Sequence, residues 1–105
     1  MQLICHTDAL NEGEARGFET AGRALLVVRR QHQFYVYENR CPHRGIRLEW
    51  QADQFLDYEK QFIQCATHGA LFRIEDGECI AGPCPGERLI PCQFLQQDNC
   101  LYLIP

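Results

Sequence analysis

Two short segments that combine cysteine, histidine and glycine constrain this chain more than any other feature of its sequence. They read CPHRG at residues 41–45 and CATHG at residues 65–69. Each segment offers one thiolate and one imidazole, which are both common metal ligands. A glycine after each histidine suits a loop that turns sharply around a compact centre. The sequence therefore predicts a metal centre between two loops, with four ligands: Cys41, His43, Cys65 and His68.

The donor set alone leaves two kinds of metal centre open. Two thiolates and two imidazoles form many structural zinc sites, but zinc fingers usually pair cysteine with cysteine and histidine with histidine. Here each pair is mixed, and a single residue separates Cys41 from His43. A binuclear iron–sulfur cluster can place two sulfur ligands on one iron and two nitrogen ligands on the other. The mixed pairs favour the cluster over zinc, and ordinary thiols and surface histidines would require both segments to arise by chance.

Seven cysteines in 105 residues also raise the possibility of a secreted disulfide scaffold. The odd number of cysteines and the histidines beside two of them favour reduced thiols instead. The opening residues lack the basic start and apolar core of a signal peptide, so we expect a cytoplasmic protein. The remaining cysteines should mostly be small buried apolar residues. They are Cys5, Cys79, Cys84, Cys92 and Cys100.

Charge and length exclude several classes of partner. The chain has 14 acidic and 10 basic residues, and a net charge of −4 gives no general attraction to nucleic acid or anionic lipid. No apolar run approaches the ~20 residues of a membrane helix. Locally, Arg40, Arg44 and Arg47 could form a basic rim beside the first segment or pair with Glu38 and Glu49. We expect one folded unit without a nucleic-acid or membrane partner.

Short β-rich runs bounded by turn residues recur along the chain, whereas helical spacing is sustained nowhere, and this pattern predicts an all-β fold. A single helical turn near residues 8–14 is the one exception considered, and residues 45–57 fit either a loop or a poor strand. The Asp76-Gly77 pair is typical of a hairpin turn. The expected strands cover residues 15–20, 24–29, 34–37, 61–64, 71–74, 79–80, 93–96 and 100–104.

The pattern C-x-H-x-G followed by C-x-x-H-G resembles the two ligand loops of the Rieske iron–sulfur family. The resemblance extends to Phe72, to the Asp76-Gly77 turn and to the proline-rich stretch at residues 82–85. It implies three small antiparallel sheets and one [2Fe-2S] cluster held by the four ligands named above. It also implies a single domain over residues 1–105, with a base from about 1–39 and 88–105 and a cluster-binding part from about 40–87.

Four positions depart from the respiratory branch of that family. Ile46 and Thr67 stand where that branch has two further cysteines that form a disulfide. Ala70 and Phe72 replace a serine and a tyrosine whose hydroxyls donate hydrogen bonds to sulfur. Because such bonds stabilise the reduced cluster, the resemblance implies the branch of low reduction potential.

The resemblance implies an electron-transfer protein rather than an enzyme that acts alone. We expect a ferredoxin component, monomeric in isolation, that exchanges electrons with a reductase and a terminal oxidoreductase or oxygenase. A small subunit or bound domain of a larger enzyme, such as a nitrite reductase, is the first alternative, and a redox-sensing interaction module is the second. The residues do not identify the electron donor, the acceptor or the pathway.

Overall fold

Strands with alternating burial form three small antiparallel sheets in the computed structural model, which describes residues 1–42, 48, 55–57, 59–65, 69–82 and 86–104. This confirms the predicted all-β class. In the described part of the chain the strands are β1 (Gln2–His6), β2 (Ala15–Thr20), β3 (Arg23–Arg30), β4 (Gln33–Glu38), β5 (Phe62–Gln64), β6 (Leu71–Arg73), β7 (Cys79–Ala81), β8 (Phe94–Gln97) and β9 (Cys100–Leu103).

Two of the sheets consist of strands that are consecutive in the chain, and in the third the first strand pairs with the last. The terminal sheet has the order β1-β9-β8, the meander sheet β2-β3-β4, and the loop-bearing sheet β5-β6-β7. All the pairings are antiparallel. The expected strands therefore form, with boundaries within one or two residues of those predicted.

The meander sheet is covered on both faces. Four consecutive residues of β3, Leu25–Val28, are all fully buried. Because successive side chains of a strand point to opposite faces, Leu26 and Val28 enter one core and Leu25 and Val27 the other. The first core also contains residues of the loop-bearing sheet, and the second contains residues of the terminal sheet. The molecule thus has two cores on opposite sides of β3.

Strand β1 is a strand that the sequence does not predict. Leu3 pairs with Tyr102 and Cys5 pairs with Leu101, so Ile4 is an extra residue in a β-bulge. A bulge places two neighbouring residues on one face of a sheet. Ile4 and Cys5 are accordingly both buried in the second core. The bulge interrupts the alternation that sequence analysis depends on.

The predicted helical turn near residues 8–14 is shorter than expected and begins earlier. A three-residue 3-10 helix spans Thr7–Ala9. The backbone then turns, and Gly13 has a φ of 81°, which a helix does not tolerate. Among the described residues, no helix has the length and apolar character needed to cross a membrane.

Two sets of hydrogen bonds join the meander sheet to the loop-bearing sheet and to the chain that leaves it. The buried Tyr37 hydroxyl donates a hydrogen bond of 2.5 Å to the carbonyl of Ile74, and burial raises the pKa of Tyr37 well above its usual value. The chain leaving the loop-bearing sheet runs beside β4, where Cys92 N–H donates to the carbonyl of Val36 and Glu38 N–H to that of Ile90. These contacts fix the loops relative to β3.

The turn between β3 and β4 consists of Gln31 and His32, whose φ angles are 52° and 62°. This left-handed conformation is uncommon for residues with side chains. The Glu12 carboxylate accepts hydrogen bonds from both backbone N–H groups, at 2.9 Å for His32. These bonds from His32 and Gln31 lower the pKa of Glu12. A carboxylate from a distant loop thus holds a turn that lacks glycine.

Replacing Glu12 with glutamine should lower stability in a pH-dependent manner. A carboxyl whose pKa is lowered by folding stabilises the native state above its usual pKa of 4.5, and this contribution is lost as the pH falls through the folded-state pKa. Thermal midpoints of wild type and E12Q from pH 2 to 7 should therefore converge at low pH. The exposed Glu87 provides the control variant E87Q. A difference between wild type and E12Q that stays constant with pH would contradict this account.

Candidate metal centre

The first predicted ligand, Cys41, lies just beyond the end of β4. Asn39 N–H donates to the carbonyl of Ala24 in β3, and Arg40 N–H donates to the carbonyl of Glu38. The second bond closes a tight turn over three residues, of the kind common at strand ends. Cys41 follows this turn and is fully buried in the first core. The end of the meander sheet therefore delivers the first thiol.

The second predicted ligand, Cys65, follows β5 and begins a short turn. Gly69 N–H donates to the carbonyl of Cys65 at 2.8 Å, and Cys65 N–H donates to the carbonyl of Ala70 at 2.9 Å. Gly69 has a φ of 68°, a conformation that glycine adopts without steric cost. The backbone itself thus closes the base of the second segment.

Both thiols belong to the first core, and each is fully buried. His43 and His68 lie outside the described residues, so the structure brings together two of the four predicted ligands. Among the residues that are described, no three potential ligand side chains lie together. Two thiols from separate loops in one buried cluster fit a centre that binds sulfur ligands away from water. The donor set therefore suits an iron–sulfur cluster.

Gly82, the first residue of the proline-rich stretch, packs directly against Ala70, which follows the second segment. Gly82 has a φ of 101°, and a Cβ atom at this position would lie 2.7 Å from the Cα of Ala70. Only glycine permits this close approach of two backbones. Residues 83–85, which include Cys84, lie outside the described part of the chain. The glycine nevertheless fixes where that stretch starts.

Positions 70 and 72 were predicted to lack hydroxyl groups near the sulfur atoms. Ala70 and Phe72 are both fully buried in the same core as Cys41 and Cys65. Their side chains have no hydrogen-bond donor. This part of the core is therefore apolar, as the sequence comparison with the respiratory branch predicts.

The other described cysteines are buried, as expected from the sequence: Cys5, Cys79, Cys92 and Cys100. Burial raises the pKa of Cys5 to about 11 and also raises that of Cys92. The sulfur of Cys100 lies 3.3 Å from Nδ1 of His6. The thiols of Cys5 and Cys92 therefore remain protonated near neutral pH, which suits a role in packing rather than in nucleophilic or redox chemistry.

The expected basic rim is only partly described. Arg40 is exposed, whereas Arg44 and Arg47 lie outside the described residues. Glu38 forms an ion pair of 3.4 Å with Arg23, so the carboxylate considered for pairing with the loop arginines is engaged on the meander sheet. Sequence reasoning did not identify Arg23 as its partner because the pair joins neighbouring strands.

Replacing Gly82 with alanine should disturb the centre more than the same change at Gly86. Both residues have positive φ, at 101° and 87°, but only Gly82 has an atom within 4 Å of the added Cβ. We expect G86A to cost about 1–2 kcal/mol from backbone strain. G82A should cost roughly 1–3 kcal/mol more from overpacking. Urea unfolding of the two variants checks the difference, and equal midpoints would contradict the proposed contact.

Comparison with known proteins identifies the family. Residues 1–97 match the family model of the Rieske [2Fe-2S] domain. The ferredoxin component of the alkene monooxygenase system of Xanthobacter autotrophicus is 29% identical over 77 residues, which cover 73% of this chain and 60% of that protein. The terminal oxygenase component of carbazole 1,9a-dioxygenase from Metapseudomonas resinovorans is 34% identical over 74 residues, covering 70% of this chain and 18% of that protein.

Solved structures agree on the fold. The ferredoxin of carbazole 1,9a-dioxygenase from Nocardioides aromaticivorans superposes with a TM-score of 0.78 at 22% identity, over 98% of this chain and 95% of that one. The chain spans 12 to 60% of the length of the first curated relatives that it matches. The family match sets the zinc alternative aside, and three antiparallel sheets are the expected Rieske architecture. This chain therefore belongs to the Rieske [2Fe-2S] domain family, and its cofactor is one [2Fe-2S] cluster.

Proposed function

We propose that this chain is a one-electron carrier, the ferredoxin component of a system in which it passes electrons from a reductase to an oxygenase or another oxidoreductase. The observation that carries the proposal is the match of residues 1–97 to the Rieske [2Fe-2S] domain, whose cluster is a one-electron centre. The similarity to the alkene monooxygenase ferredoxin component supports it. When bound, the cluster supplies reversible one-electron chemistry. The chain's own contribution is to hold, bury and present it.

We propose the same four ligands that the sequence predicts, with the thiolates of Cys41 and Cys65 on one iron and the imidazoles of His43 and His68 on the other. Burial of both cysteines in the first core supports this assignment. A histidine that binds iron through one ring nitrogen retains a second ring nitrogen. We place the exit of the electron at these histidines. Electron transfer to a partner then requires no catalytic group on this chain.

The division into a base and a cluster-binding part, the monomeric state and the cytoplasmic location belong to the same proposal. The second core lies wholly within residues 1–39 and 88–105 and supports a base with packing of its own, whereas the first core joins that base to the cluster-binding part. The net charge of −4 supports partners that are proteins rather than nucleic acid.

A second candidate function is that of a bound domain or small subunit within a larger enzyme. It is favoured by the match to the terminal oxygenase component of carbazole 1,9a-dioxygenase, of which the aligned region makes up 18%. In this case the same cluster would accept electrons from outside and pass them within the assembly. The carrier function is the better supported of the two, because the match covers 60% of the alkene monooxygenase ferredoxin component but only 18% of the terminal oxygenase component.

Removing any proposed ligand should abolish the cluster. Purified wild type should contain two iron atoms and two sulfides per chain and give an electron paramagnetic resonance signal after reduction with dithionite. C41S, H43A, C65S and H68A should each lose the signal. Cys79 is buried in the same core and is not a proposed ligand, so C79S is the matched control. Retention of a normal cluster by one of the four variants would show that its ligand is assigned wrongly.

The reduction potential should lie toward the lower end of the range of about −150 to +300 mV seen in this class of cluster. The apolar side chains of Ala70 and Phe72 offer no hydrogen bond that would stabilise the reduced state. Redox titration should therefore give a midpoint below zero, and A70S and F72Y, alone or combined, should raise it. The control is F55Y, which adds a hydroxyl to another fully buried phenylalanine of the first core. A wild-type midpoint well above zero would contradict the argument.

A further inference from the structure

Asn39 is one of two buried polar residues in the described part of the chain, the other being Thr20. It is 5% exposed and lies two residues before Cys41. Burying an amide is unfavourable unless its polar atoms form hydrogen bonds. The burial of Asn39 before the first ligand loop is therefore favourable only if its amide group is hydrogen-bonded.

Asn39 contacts the chain on both sides of the first ligand loop. Its backbone N–H donates to the carbonyl of Ala24 at 2.9 Å, which anchors it to β3. Its side-chain Oδ1 accepts the backbone N–H of Leu48, also at 2.9 Å. Leu48 is fully buried in the core that contains Cys41. One side chain thus joins the residues that precede and follow the loop.

The second ligand loop is closed in a different way. There, the closing bonds among the described residues are backbone bonds, from Gly69 N–H to the carbonyl of Cys65 and from Cys65 N–H to that of Ala70. The first loop is longer, because residues 40–47 lie between Asn39 and Leu48, the two residues that its closing hydrogen bond joins. A longer segment has more conformational freedom to lose, so an anchor at its base has more to restrict.

We infer that Asn39 is a positioning residue for the iron–sulfur cluster. Its Oδ1 fixes the point, at Leu48, where the chain returns to the core after the first loop, and thereby the position of Cys41 relative to Cys65. The inference rests on the proposed ligand set. Asn39 acts by holding the loop in place and is not itself a metal ligand. Loss of the acceptor should therefore loosen the cluster and alter its electronic surroundings.

The test compares three variants with wild type. N39L keeps the approximate size of the side chain but removes the acceptor, whereas N39D keeps an oxygen acceptor in the same place. T20V is the matched control, because the Thr20 hydroxyl is buried and makes no hydrogen bond within the described part of the chain. The measurements are the rate of iron loss to a chelator and the paramagnetic resonance spectrum of the reduced protein.

We expect N39L to lose iron about 10- to 100-fold faster than wild type, as is typical when the support of a metal ligand is removed, and to show shifted g-values. N39D should restore the wild-type spectrum and most of the cluster lifetime, and T20V should match wild type in both. Where N39L does not fold, N39A removes the same acceptor with less crowding and replaces it.

Two results would overturn the inference: an acceptor-free variant that matches T20V in rate and spectrum, or N39D that behaves like N39L. Either result would show that the hydrogen bond between Asn39 and Leu48 does not position the loop. Failure of the proposed function is a separate outcome, because wild type itself would then lack the two irons and two sulfides.

Discussion

Burial of both faces of β3 is the constraint on which the remaining architecture depends. A strand with four consecutive apolar residues, Leu25–Val28, must be covered on each side. The terminal sheet covers one face and the loop-bearing sheet covers the other. Cys41 and Cys65 lie in the first core, between the meander sheet and the loop-bearing sheet, so the packing that stabilises the fold also excludes water from these two proposed ligands.

Hydrogen bonds among the described residues close the bases of the two proposed ligand loops. The second loop uses a backbone bond to a glycine in the left-handed region, and the first uses the side chain of Asn39. Gly82 presses the third stretch against Ala70. Each contact is small, but together they fix the described residues that flank the two proposed ligand loops and the proline-rich stretch. This division between a rigid scaffold and shaped loops is common at functional sites.

Much of the fold could be predicted from the sequence, and so could a candidate ligand set, of which the structure describes Cys41 and Cys65. The runs around β3 and β4 are strongly β-forming, and the spacing of cysteine, histidine and glycine is specific. Three features could not be predicted, because each depends on contacts between distant residues. The bulge at Ile4 breaks the alternation of β1, and the Gln31-His32 turn is held by Glu12. Asn39 resembles any polar residue at a strand end until Leu48 is placed beside it.

Pairing of β1 with β9 has a consequence for how such a module can be joined to other proteins. Gln2 lies opposite Leu103, so the first and last strands of the described fold finish side by side in one sheet. That sheet covers the face of the meander sheet opposite the core that contains Cys41 and Cys65. A polypeptide fused at either end would emerge on the side of the meander sheet away from these two thiols. The geometry therefore allows the unit to be tethered, inserted or circularly permuted without covering the core that contains them.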